Sequence, residues 1–153
     1  MNVYAKNARA AYVKNEIANL SREEIVVKLY QALCVRMRGA IEEIKDGRIG
    51  KKAEHLSRAL AIVLELQNSL DMEQGGEIAE NLNRLYDYMA SELMAANLKN
   101  DIRKIEASLK VAEILLEGWV EIAKGKKPEA KPALDPLDFL TTGEEPERSA
   151  INY

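Results

Sequence analysis

Four stretches of this chain space their apolar residues three and four positions apart, and no stretch alternates them as a strand would. Short breaks separate the four, around "KDG" near Gly47, at Gly75-Gly76 and at Asn100-Asp101. A chain patterned in this way can only fold by packing helix on helix.

The first stretch opens at Ser21 with Glu24 three residues later, a spacing that lets each side chain satisfy the other's backbone N–H. Its stripe is Val26, Leu29, Tyr30, Leu33, Met37, Ala40, Ile41 and Ile44. The second, over about 51–72, carries Ala53, Leu56, Leu60, Val63, Leu64 and Leu70. The third, over about 77–97, carries Ile78, Leu82, Leu85, Met89, Leu93 and Ala96. The fourth is capped by Asn100 or Asp101 and carries Ile102, Ile105, Leu109, Ala112, Leu116, Trp119 and Ala123. About 20 residues at 1.5 Å each make a helix of ~30 Å, and short links make neighbours antiparallel. The expected fold is all-α, an antiparallel up-down four-helix bundle over 21–124. Residues 1–20 form an N-terminal arm. Residues 125–153 form a flexible tail, because all four prolines (Pro128, Pro132, Pro136, Pro146) lie there.

Projection at 100° per residue separates core positions from solvent positions. Opposite the first stripe lie Lys28, Gln31, Arg38 and Glu42, with Val35 the exception. The other three helices differ. Ile62 points away from the second stripe and Leu66 sits on its flank. The outer row of the third is Asp87, Ala90, Ser91, Met94 and Leu98, and that of the fourth is Val111, Ile114, Gly118 and Ile122. A contiguous apolar surface of that kind marks a partner site, and Met with small residues suits an incoming helix.

Catalysis finds little to work with. His55 is the only histidine, reads as a surface residue, and nothing places it beside Cys34, which reads as a buried structural thiol. One His and one Cys do not make a zinc site, and no Glu-x-x-His pair offers a carboxylate metal centre. "EQGGE" has no strand before it and no Gly-Lys-Ser/Thr after it, so it is not a phosphate loop. No cofactor or metal is expected, and no enzyme. The net charge of −3, with both signs mixed, gives no nucleic-acid footprint. No apolar run reaches the ~18 residues of a membrane span. The single cysteine and the lack of an apolar signal core lead to a cytoplasmic expectation.

Several segments, in order, resemble the FliS family of flagellar secretion chaperones. They are "AYVKNEIANLSREEIVVKLY" (11–30), "HLSRALAIVLELQNSLD" (55–71), "GGEIAENLNRLYDYMASELMAANLKND" (75–101) and "EGWVEIA", together spanning about 4–124. Arg22 stands where the family usually has Pro, with Ser21 still available as a cap. The resemblance implies a cytosolic chaperone that binds the disordered C-terminal segment of flagellin, prevents its premature polymerisation and delivers it to the flagellar type III export apparatus. The expected flagellin contacts are Ile62 and Leu66 on the second helix, and Tyr86, Tyr88, Ala90, Met94 and Leu98 on the third. Val111, Ile114 and Ile122 complete the set on the fourth. Tyr4, Tyr12 and Ile17 of the arm are the expected contacts to the export gate protein, and Ser21, Asn100 and Asp101 the structural caps. A monomer is expected. The competing expectation is a non-catalytic adaptor or weak homodimer that uses the same outer surface. Within the tail, Leu134, Leu137, Phe139 and Leu140 form an apolar cluster that reads as a docking motif for the chain's own empty groove.

Overall fold

The computed structural model describes residues 7, 8, 10, 11 and 19–125. Its four long helices are α1 (Arg22–Lys45), α2 (Ile49–Asn68), α3 (Gly76–Lys99) and α4 (Ile102–Ala123). The links between them cover residues 46–48, 69–75 and 100–101. Such short links leave each helix no choice but to run back along its predecessor. The chain is an all-α, antiparallel four-helix bundle, with α1–α2, α2–α3, α3–α4 and α4–α1 as neighbours and α1/α3 on a diagonal.

Local chemistry sets the helix ends. At the start of α1 the Ser21 hydroxyl accepts from Glu24 N at 3.1 Å, and the Glu24 carboxylate accepts from Ser21 N at 3.2 Å. A reciprocal cap of this kind is worth about 1 kcal/mol. Asn100 and Asp101 divide the work at the α3–α4 corner. Asn100 closes α3 in the left-handed conformation (φ 54°), its N–H returning to Ala96 O. Asp101 opens α4 by accepting from Arg103 N at 3.1 Å. In the α1–α2 link the Arg48 guanidinium forks onto Glu43 and, at 2.8 Å, Asp46. The α2 helix ends at Asn68, short of the expected 72, because Asp71 Oδ1 accepts from Glu73 N and Gln74 N and turns the chain.

The core is continuous along the bundle, with Leu33, Met37, Leu56, Val63, Met89, Leu93 and Ile105 all at most 2% exposed. Burial of one such side chain stabilises the fold by about 1.5–3 kcal/mol. Across the diagonal the hydroxyls of Tyr30 and Tyr86 meet at 2.6 Å, their ring centroids 6.5 Å apart. Each hydroxyl gives the other a partner that water cannot supply there. Burial holds both phenols protonated, pushing Tyr86 up to about 12 and Tyr30 well above the ordinary tyrosine value.

Two stripes, those of α2 and α4, face the core at a different angle from the one expected. On α2 the buried line is Lys52, Leu56, Ala59, Val63 and Leu66, while Leu64 is 46% exposed. On α4 it is Ile105, Ser108, Ala112, Leu115 and Gly118, so Gly118 faces inward and Leu116 and Trp119 are only half-buried. On α3 the expected stripe is buried from Leu82 to Ala96, and only its first residue, Ile78, is 40% exposed. Small or polar residues share the buried lines of α2 and α4, and a wheel centred on large apolar residues turns away from them.

Candidate partner-binding surface

Hydrogen bonds between α2 and α3 fix which flank of each helix faces outward. Gln67 Nε2 donates to Asn83 Oδ1 and Asp87 Oδ1, both at 2.8 Å. Lys52 Nζ donates to Asn97 O at 2.8 Å and Asn100 Oδ1 at 2.7 Å. On α2, Leu64, Leu60, Ala53 and Ile49 share the Gln67 flank by helical spacing. On α3, Met94 and Leu98 share the Asp87 flank, seven and eleven residues on. The outcome is an open apolar row along the α2–α3 seam: Ile49 48% exposed, Leu64 46%, Met94 56% and Leu98 82%. Four large apolar side chains so exposed on one face form a surface that water solvates poorly. Ile49 and Leu64 are absent from the expected contacts. Their spacing of about four turns is visible in the sequence, but periodicity alone does not say which flank of a stripe is open.

Several expected contact residues lie elsewhere. Leu66 is 1% exposed and belongs to the core, one turn beyond Val63. Tyr86 is 2% exposed and is committed to Tyr30. Tyr88 is 6% exposed, on the flank of α3 that carries Glu92, whose carboxylate meets Lys104 of α4 at 3.5 Å. Ala90, at 9%, packs against the core between Tyr86 and Met94. Ile62 is half-buried against the core, on the flank of α2 that faces α1. Val111, Ile114 and Ile122 are half-buried, and Val111 and Ile122 share the Lys104 flank of α4. The ten expected contacts are therefore not one patch. Met94 and Leu98 stay on the open α2–α3 face, and the α4 residues lie toward the α3–α4 seam. The arm contacts Tyr4, Tyr12 and Ile17 fall outside the described residues, as does the apolar cluster of the tail.

His55 also departs from its reading as a plain surface residue. A Cβ on Gly39 would lie 2.8 Å from its ring, so the imidazole packs on the bare backbone of α1. Its Nδ1 lies 3.4 Å from an Arg36 nitrogen. Cys34 is 1% exposed, and burial pushes its thiol up, which keeps it protonated and unreactive. Among the described residues no group of three or more His, Cys, Asp or Glu could hold a metal ion, and no helix is long and apolar enough to cross a membrane.

The sequence matches known proteins over most of the bundle. The family described as flagellar protein FliS matches residues 5–126. The chain is 32% identical over 110 residues to the flagellar secretion chaperone FliS of Vibrio cholerae, covering 72% of this chain and 81% of that protein. It is 34% identical over 112 residues to that of Salmonella typhimurium, covering 72% and 83%. Against the Campylobacter jejuni chaperone it is 34% identical over 115 residues, covering 73% and 88%. This chain belongs to the FliS family, and it is a flagellar export chaperone rather than an enzyme.

Proposed function

We propose that this chaperone binds the C-terminal segment of flagellin in the cytoplasm, as helix laid on the outer apolar face of the bundle. The exposure of Met94 and Leu98 beside Leu64 and Ile49 is the observation that carries this reading. A client segment that is disordered alone and apolar along one side gains a surface to fold against, and the row loses contact with water. Covering that segment prevents premature polymerisation before delivery to the export apparatus. In this reading 21–124 is the chaperone domain, working as a monomer, with the arm 1–20 as a separate element. Tyr4, Tyr12 and Ile17 of the arm meet the export gate, and the half-buried Val111, Ile114 and Ile122 extend the client surface along α4.

Calorimetric titration with the flagellin C-terminal segment, followed by circular dichroism, tests the reading. The expected result is saturable binding with a negative heat-capacity change and a gain in helicity. Met94→Asp weakens it by about tenfold or more, since a charge replaces ~1.5–3 kcal/mol of burial, while the free fold is unchanged. Absence of binding, or binding that Met94→Asp leaves intact, rejects the α2–α3 face as the client site.

A further inference from the structure

A cleft of about 260 Å³ opens at one end of the bundle, where α1 and α3 begin and α2 and α4 finish. Leu66, Leu82 and Tyr86 lie deep in it, Trp119 forms a half-buried wall, and Ile78 stands exposed at the rim. Arg22, Ser69 and Asp71 at its rim are already engaged. Arg22 donates to Ser69 O at 3.1 Å, and the Asp71 carboxylate holds the α2–α3 turn. The volume falls below the ~300–1,000 Å³ of small-molecule pockets and suits one or two apolar side chains.

The chain leaves α4 at this same end. Lys124 N–H returns to Val120 O at 3.2 Å and Gly125 N–H to Ile122 O at 2.9 Å, about one helical turn beyond Trp119. Residues 127–153 lie outside the region matched to the family and carry Leu134, Leu137, Phe139 and Leu140 within seven residues. From Gly125 to Leu134 the chain can reach up to ~30 Å, enough to fold back over the end of the bundle. We propose that residues 134–140 of this chain dock in the end cleft, seating Phe139 and a neighbouring leucine against Trp119 and Tyr86. The arm enters α1 at this end too, but its described residues Asn7, Ala8, Ala10, Ala11 and Asn19 are exposed, and Leu20, the one large apolar side chain among them, is half-buried outside the cleft's lining. Tethering makes a weak contact sufficient. A segment with an intrinsic Kd of about 0.1 mM, held at about 1 mM effective concentration, is docked about 90% of the time.

Trp119 is the only tryptophan and reports on the cleft directly. In the full chain, Phe139→Ser with Leu140→Ser is expected to raise acrylamide quenching of Trp119 about twofold, as the docked fraction falls. The bundle, which these residues do not build, keeps its circular-dichroism spectrum. A second measurement pairs Ser69→Cys with Phe139→Cys, the native Cys34 being buried. It is expected to give an intrachain disulfide on mild oxidation, whereas Ser69→Cys with Tyr12→Cys is not. Unchanged quenching together with no intrachain disulfide overturns the proposal. So does a cross-link that forms only between chains, or one that favours Tyr12→Cys, which would assign the cleft to a second copy or to the arm.

Discussion

Both ends of the bundle use a cation from one helix on the carbonyl end of the next, yet they do so in opposite environments. At the end where α2 begins, Lys52 is 3% exposed and reaches Asn97 O and Asn100 Oδ1. At the other end Arg22 reaches Ser69 O in the open, beside the cleft. Helix C-termini carry partial negative charge, so both contacts are favourable. Burial decides how much. A cation shielded from water has no alternative partner, whereas an exposed guanidinium exchanges its carbonyl for water at little cost. One end is therefore fastened and the other is left adaptable.

The largest expected effect breaks the fastened end. Lys52→Ala leaves the α3 terminus with unsatisfied carbonyls and costs about 3 kcal/mol, while Arg22→Ala stays within about 0.5 kcal/mol. Urea midpoints at neutral pH measure both. Equal losses would mean that the two contacts are alike and that burial is not the deciding difference.

Alkaline pH attacks the floor of the cleft, where Tyr86 meets Tyr30. The folded value of Tyr86, about 12, lies above the ordinary tyrosine value of 10.0, so above about pH 10 the unfolded chain ionises first. Stability from this group is complete below that pH and is lost as pH rises toward 12. The loss is about 2–3 kcal/mol, and the upward shift of Tyr30 adds in the same direction. Unfolding curves at pH 8, 10 and 11 should show the decline, and Tyr86→Phe should flatten its share. A parallel decline in Tyr86→Phe would place the alkaline sensitivity elsewhere.

Gly75 sharpens the comparison from the open end. An added Cβ would sit 2.5 Å from Ala79 Cβ and 2.6 Å from the Asp71 carbonyl oxygen, which is backbone. Gly75→Ala must displace the α2–α3 link, and is expected to cost about 2 kcal/mol and to reshape the cleft. Denaturation together with Trp119 emission reads both effects at once. Full stability with shifted emission would show that the link moves freely at this end.

The fold was legible because capping chemistry and helical period agree over long stretches. Ser21 with Glu24 marks a start, and Asn100-Asp101 marks a corner, whatever the partners are. Rotation of each helix was not legible to better than one flank. Ala59, Ser108 and Gly118 are interior although small or polar, and nothing in a hydrophobic stripe announces that. The candidate surface inherited the same error. Leu66 and Leu64 exchanged roles, and Tyr86 was assigned outward although its hydroxyl needed Tyr30, a residue 56 positions away. The family resemblance pointed to the segment around Tyr86 and Tyr88, but not to the inward turn of its tyrosines.

The smallest expected change in stability lies beside the strongest contact. Leu98 follows Asn97, whose carbonyl takes the buried Lys52, yet Leu98 itself is 82% exposed and has almost no burial to lose. Gln matches Leu in helix propensity and adds no charge near the helix C-terminus, so Leu98→Gln should shift stability by less than about 0.5 kcal/mol. Ile62→Asp is the contrasting change, because Ile62 is packed against the core and would draw a charge into it at a cost of a few kcal/mol. If the client covers the α2–α3 row, Leu98→Gln lowers its affinity about tenfold at unchanged stability. Unchanged affinity would confine the client to the Met94 and Leu64 end of the row. A stability loss above about 1 kcal/mol would mean that Leu98 belongs with Lys52 and Asn97 to the fastened end.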